Sequence, residues 1–171
     1  MESLKSTIAK MISCGEYSYI MNKALSLIIE DKMNSIALNQ LLANNGISIT
    51  ELKEESLVVI IDYANKILED DILTDEEMKN IGLLKLFFKI EPHDFTIFGK
   101  SSEVRDILMV QLRKMYSDNF IDKDEALMKT KLQALFDMGY DDFLNIVNVV
   151  AKEALSNGAD IKNLDTFISP S

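Results

Sequence analysis

Apolar residues recur along this chain at spacings of three and four, the period of an amphipathic helix. The pattern predicts a helix over about 3–13, ended at Gly15 in a left-handed cap. A second covers about 17–30, with Ile20, Ala24, Leu27 and Ile28 on one stripe. A third covers about 32–43, carries Ile36, Leu38, Leu41 and Leu42, and stops at "NNG" (44–46). "SITE" (48–51) reads as a Ser-x-x-Glu capping box that opens a helix from about 51 to 68. The next, about 75–90, sets Ile81, Leu84, Phe87 and Phe88 on one face until "EPHDF" (91–95) breaks it and starts a short helix. Ser101 or Ser102 then caps a helix of about 103–117. Helices of 123–138, ended by Gly139, and 141–156 complete the set. Residues 159–171 read as a mobile tail with one docked turn around Leu164 and Phe167. Gly and Pro number six and two, which favours helices over a turn-rich sheet. The expected fold is all-α with seven to eight helices. N-terminal helices (1–46) pack on the core of a helical repeat region (47–158), and the tail (159–171) follows.

The repeat is internal. Residues 66–95 slide onto 114–143 without a gap, and seven of the thirty positions are identical. The pairs are Lys66/Lys114, Asp70/Asp118, Glu77/Glu125, Leu84/Leu132, Phe88/Phe136, Asp94/Asp142 and Phe95/Phe143. Each copy reads as helix, acidic turn, helix, tight break and helix start. Two copies are too few to stack as a solenoid, so two related hairpins around a pseudo-twofold axis are expected. Residues 1–46 hold no third copy, since Lys32 stands where Glu125 would be.

The segments "DDILTDEE" (70–77) with "LFFKIEPHDF" (86–95), and "DNFIDKDE" (118–125) with "ALFDMGYDDF" (134–143), resemble the tellurite-resistance TerB-like family. The resemblance covers about 48–156. Its turn Asp is commonly followed by Gly, where this chain has Asp71 and Asn119; both types tolerate left-handed geometry. The resemblance implies an all-helical domain serving as a non-enzymatic interaction or sensing module in a bacterial stress or defence system. It also implies acidic clusters able to hold a divalent ion, which here would draw on Asp70, Glu77, Asp118 and Glu125.

Ligand spacing excludes an EF-hand at those turns. With Glu77 at loop position 12 and Leu73 at position 8, positions 1 and 3 fall on Lys66 and Leu68. In the second copy they fall on Lys114 and Tyr116, so both copies fail at the same places. Thr74-x-x-Glu77 and Asp122-x-x-Glu125 instead fit capping boxes. Glu77 also shares a stripe with Ile81, Leu84 and Phe88, and a carboxylate edging into a core needs a partner. Lys66 and Lys114, four residues before the turn Asp, are the candidate ion-pair partners, and an ammonium there competes with a metal ion.

Charge narrows the partners further. Lys and Arg total 18 against 28 Asp and Glu, a net charge of −10, and no run of Lys or Arg builds a basic stripe. Nucleic acid and anionic membrane surfaces are thereby disfavoured, and a protein partner with a basic face is expected instead. A second reading follows, an acidic inhibitor or immunity-type protein that neutralises a basic toxin or a nucleic-acid-binding surface. Cys14 is the sole cysteine, so neither an internal disulfide nor a cysteine metal cluster is available. "SLVVII" (56–61) is far short of a membrane span, and Lys5 and Lys10 interrupt any signal-peptide core, so a cytoplasmic protein is expected. His93 in "EPHDF" is replaced by Asp141 in the other copy, so the repeat does not preserve it as a base. With no phosphate loop, nucleophile elbow or zinc spacing, no enzymatic activity and no cofactor are expected.

Overall fold

The computed structural model describes residues 3–68, 72–118, 121 and 123–160. Among them the regular structure is helical, with nine α-helices, one 3₁₀ turn and no strand. The expected 159–171 tail, with Leu164 and Phe167, falls almost entirely outside the described residues.

The chain forms two compact units. Met1–Glu69 and Thr74–Asp94 make the first, which carries α1 (Leu4–Cys14), α2 (Tyr19–Ile29), α3 (Ser35–Asn45), α4 (Ile49–Ile67) and α5 (Asp75–Phe87). Here α1 packs on α2 and α4, α2 on α3 and α4, and α4 on α5. Ile8, Met21, Leu25, Leu38, Leu57, Ile60, Tyr63, Ile81 and Leu84 are fully buried. Asp70–Leu73 and Phe95–Ser171 make the second unit. Its helices are α7 (Ser101–Met115), α8 (Lys123–Leu135) and α9 (Tyr140–Ser156), with the 3₁₀ turn Tyr116–Asp118; the short α6 (Asp94–Ile97) starts on the last residue of the first unit. There α7 packs on α8 and α9, around Leu108, Leu112, Leu132, Ile146 and Ala151. The buried Gln111 side chain accepts the Leu73 N–H at 2.8 Å, which ties Leu73 to α7 within that unit.

Local chemistry explains where the helices begin. The side chains of Ser3, Ser18, Asn34, Ser48 and Thr74 each accept a backbone N–H three residues on. Each such cap satisfies a donor that the helix itself cannot, a contribution of about 1 kcal/mol. Ser48 with Glu51 closes the capping box read from "SITE".

The helix ends are less conventional. Asp31, Gly46, Lys89 and Asp137 all adopt left-handed backbone, with φ of 61°, 64°, 53° and 52°. Each donates to the carbonyl three residues back, and the next N–H reaches five back, as Lys89 does to Leu86 and Ile90 to Lys85. This is the double-bonded C-cap that glycine usually serves, and here only Gly46 of the four is glycine. Lys89 and Asp137 are 48 positions apart, so the repeat preserves the cap while changing the residue type.

Several expectations are corrected. Gly15 is not left-handed, with φ −93°. A Cβ there would sit 2.5 Å from the Tyr17 ring and 2.7 Å from the Met11 carbonyl oxygen, so close approach excludes a side chain. Ser101 and Ser102 lie inside the first turn of α7, whose N-cap is Lys100 without a side-chain bond. Gly139 caps the start of α9, and α8 ends earlier, at Leu135. The buried stripe of α2 is Met21, Ala24, Leu25 and Ile28, with Ile20 and Leu27 at its edges. Ile36 is not in the core at all but 68% exposed.

Candidate functional site

Glu77 closes the capping box of α5. Its Oε2 accepts the Thr74 N–H at 2.9 Å and the Thr74 hydroxyl at 2.8 Å, while Thr74 Oγ1 accepts the Glu77 N–H. The carboxylate is half-buried against the start of the helix and is held by the chain's own donors. Asp70 and Asp122 lie outside the described residues. In the second unit Asp118 is exposed in the 3₁₀ turn, and Glu125 is half-buried in the first turn of α8. The three described candidate ligands thus divide, with Glu77 in the first unit and Asp118 and Glu125 in the second. Lys66 and Lys114 are half-buried on α4 and α7. Among the described residues no group of three or more His, Cys, Asp or Glu is placed to hold a metal ion. Thr74→Ala and Glu77→Ala should each destabilise the chain by about 1 kcal/mol, the usual value of such a cap. Thermal melts check this, and the loss should be the same with calcium, with magnesium or with chelator. A wild-type melting temperature that rises with either ion would favour the metal reading of Glu77.

Stronger electrostatics lie on α4, away from the acidic turns. Lys53, on the core-facing side of α4, donates to Asp94 Oδ2 at 2.8 Å and to Glu91 Oε2 at 3.1 Å. Its side chain is 11% exposed and that of Asp94 6%. The same Asp94 oxygen accepts the Glu91 N–H at 2.7 Å. The hydrogen bond from Asp94, with a smaller one from Glu91, holds the Lys53 ammonium above the usual lysine range. A signal existed, because Lys53 shares a stripe with Leu57 and Ile60, an odd place for a charge. His93 stands beside this clamp, exposed and left-handed (φ 71°), with no described catalytic partner. In the second unit Arg113 makes a two-pronged pair with Glu153, at 2.8 and 2.9 Å, at the edge of an open cleft of about 300 Å³. Another open cleft, about 380 Å³, is floored by Ile28 and Met33 and crossed by the Lys5–Asp31 pair.

What the molecule leaves to solvent is more distinctive. At 100° per residue, Asp75, Lys79, Gly82, Leu83 and Leu86 share the outward face of α5. Leu86 is 76% exposed, Leu83 is exposed beside it, and a Cβ on Gly82 would meet nothing, so the face is open. The repeat-equivalent face of α8 holds Lys123, Leu127, Thr130, Lys131 and Ala134, with Leu127 56% exposed. On α3 the exposed positions Ile36, Asn39, Gln40 and Ala43 carry no charge. Lys89 Nζ, just past the end of α5, donates to Asn39 Oδ1 on α3 at 3.0 Å. Solvated helix faces ordinarily carry charge where these carry leucine and isoleucine.

No protein-family model, curated protein or solved structure matches the chain. No helix among the described residues is long and apolar enough to cross a membrane.

Proposed function

We propose that this chain is a non-enzymatic protein-interaction module that docks partners on the outward faces of its repeat helices. One observation carries the reading, the exposure of Leu83 and Leu86 on α5 around the open Gly82. Two water-facing leucines one turn apart gain by burial, and a partner protein that covers them supplies it. The resemblance of the two acidic turns to those of TerB-like proteins supports a role in a bacterial stress or defence system, with the module cytoplasmic. The test is capture from source cells with the wild-type chain and the Leu86→Glu and Leu127→Glu chains as baits, followed by titration of the captured protein against each. A partner whose direct binding is lost in one of these variants fits the reading. A partner indifferent to both would refute it.

The net charge of −10 supports a second reading, an acidic inhibitor of a basic toxin or nucleic-acid-binding protein. Salt separates the two: an inhibitor steered by charge loses affinity steeply as ionic strength rises, whereas leucine docking does not.

A further inference from the structure

The face of α5 lies in a part of the chain whose charge is opposite to the whole. Of 28 acidic residues none falls between 78 and 90, a segment that holds Lys79, Lys85 and Lys89. None falls between 33 and 50 either, which spans α3 and has no charged residue of any kind. The Lys89–Asn39 hydrogen bond joins these two segments in space. Lys79 and Lys89 are exposed at the two ends of the Gly82–Leu86 surface. Lys79 and Leu86 stand about 10 Å apart along the helix, a span that two turns of a docked helix would cover. The nearest carboxylate beyond Lys89 is Glu91, already held by Lys53. At the other end Asp75 and Glu76 lie a turn before Lys79 and close the zone.

We infer that this surface receives an acidic amphipathic helix, whose apolar seam lies on Gly82, Leu83 and Leu86 and whose flanking carboxylates meet Lys79 and Lys89. The inference rests on the docking reading above and adds the sign of the partner's charge. That sign is the reverse of what a net charge of −10 suggests. Long-range steering favours basic partners, but at contact the local lysines decide, because opposite charges pair and like charges facing each other at an interface are strongly unfavourable. The rest of the surface then repels the same acidic partner, so only a seam placed between the two lysines is accepted. A basic helix laid there would set its own lysines against Lys79 and Lys89. Two exposed lysines in a chain this acidic are too few for an anionic bilayer, which is held by clusters of basic residues.

Fluorescence anisotropy with two labelled amphipathic peptides tests it, one with glutamates flanking a leucine seam and its twin with lysines at those positions. The acidic peptide should bind at least about tenfold more tightly than the twin, a preference that salt weakens. Leu86→Glu should abolish binding, and Leu86→Ala, which leaves the helix intact, should weaken it. Lys79→Glu with Lys89→Glu should reverse the preference toward the lysine twin. Tighter binding of the lysine twin by the wild type would overturn the inference, as would acidic-peptide binding that survives Leu86→Glu. Stable binding to vesicles of phosphatidylserine and phosphatidylcholine with neither peptide bound would overturn it in favour of a lipid surface. If neither peptide nor vesicle binds while a captured partner is still lost on Leu86→Glu, the inference falls and the docking reading stands.

Discussion

Replacing Lys53 by methionine should cost about 3 kcal/mol, the lower end of what breaking a buried ion pair costs by removal of one partner. Asp94 would keep one donor, the Glu91 N–H at 2.7 Å, but would lose the ammonium at 2.8 Å that balances its charge in a nearly buried position. Glu91 would lose less, since its side chain is largely exposed. The double variant Lys53→Met with Asp94→Asn should recover part of the loss, because no uncompensated carboxylate is left behind. Urea unfolding of the three chains checks both statements. A single variant within about 0.5 kcal/mol of wild type would mean that the pair is already well solvated. The pair also has a pH signature. Lys53 titrates above its ordinary value in the folded chain, so its contribution is fully present below about pH 10.4 and is lost as pH rises through the folded value. Tyr17 loses stability in the same alkaline window, because burial and then its hydrogen bond to Asp62 raise the phenol above its ordinary value near 10. Wild-type stability should therefore fall above pH 10, and that of Lys53→Met should fall less steeply.

The clamp also marks where the sequence stops being legible. Capping chemistry is local, so Ser48 and Glu51 could be read as a box and Gly46 as a left-handed stop without knowing the fold. The Lys53–Asp94 pair joins residues 41 positions apart, and nothing in either neighbourhood points to the other. The left-handed caps at Asp31, Lys89 and Asp137 were hidden for another reason. Two hydrogen bonds hold that backbone at each site, so a lysine serves at position 89, where residue type gives no signal, and the aspartates at 31 and 137 give only the weak one of a type that tolerates it. The repeat could have shown them, since Ile90 and Met138 are matched aliphatics just after the matched caps.

Periodicity likewise predicts that a helix has an apolar face without saying which apolar residues find a partner. In α3 the residues Ile36, Leu38, Leu41 and Leu42 span more of the helix than one neighbour can cover, and Ile36 is left outside. In α5 the core face of Ile81, Leu84, Phe87 and Phe88 was legible. Leu83 and Leu86, which that stripe leaves out, are exposed to solvent instead. The candidate docking face was thus present in the sequence only as a surplus of leucine. The acidic turns were the more conspicuous feature, yet what the described residues show there is Thr74 and Glu77 fastening the start of a helix.

Truncating either matched phenylalanine should be the most damaging change in its own unit. Phe88 and Phe136 occupy equivalent places, each just before a left-handed cap, and are 0% and 2% exposed. Phe→Ala in a packed core costs about 3–5 kcal/mol through lost transfer energy and the cavity left behind. That is a large share of the 5–15 kcal/mol typical of a domain. The surroundings differ in a way that ranks the two. Phe136 packs edge-on against Phe95 at 5.9 Å, so its loss strips a partner from a residue distant in sequence, in the same unit. The ring partner of Phe88 is its neighbour Phe87, at 4.9 Å, which the chain holds in place in any case. Phe136→Ala should therefore fall toward the upper end of the range and Phe88→Ala toward the lower. Leucine at either position should restore most of the stability by refilling the volume. Amide exchange locates the damage. Phe88→Ala should reduce protection chiefly in α1, α2, α4 and α5, and Phe136→Ala chiefly in α7, α8 and α9. Equal loss of protection across both sets of helices in either variant would contradict the assignment of each ring to the core of its own unit.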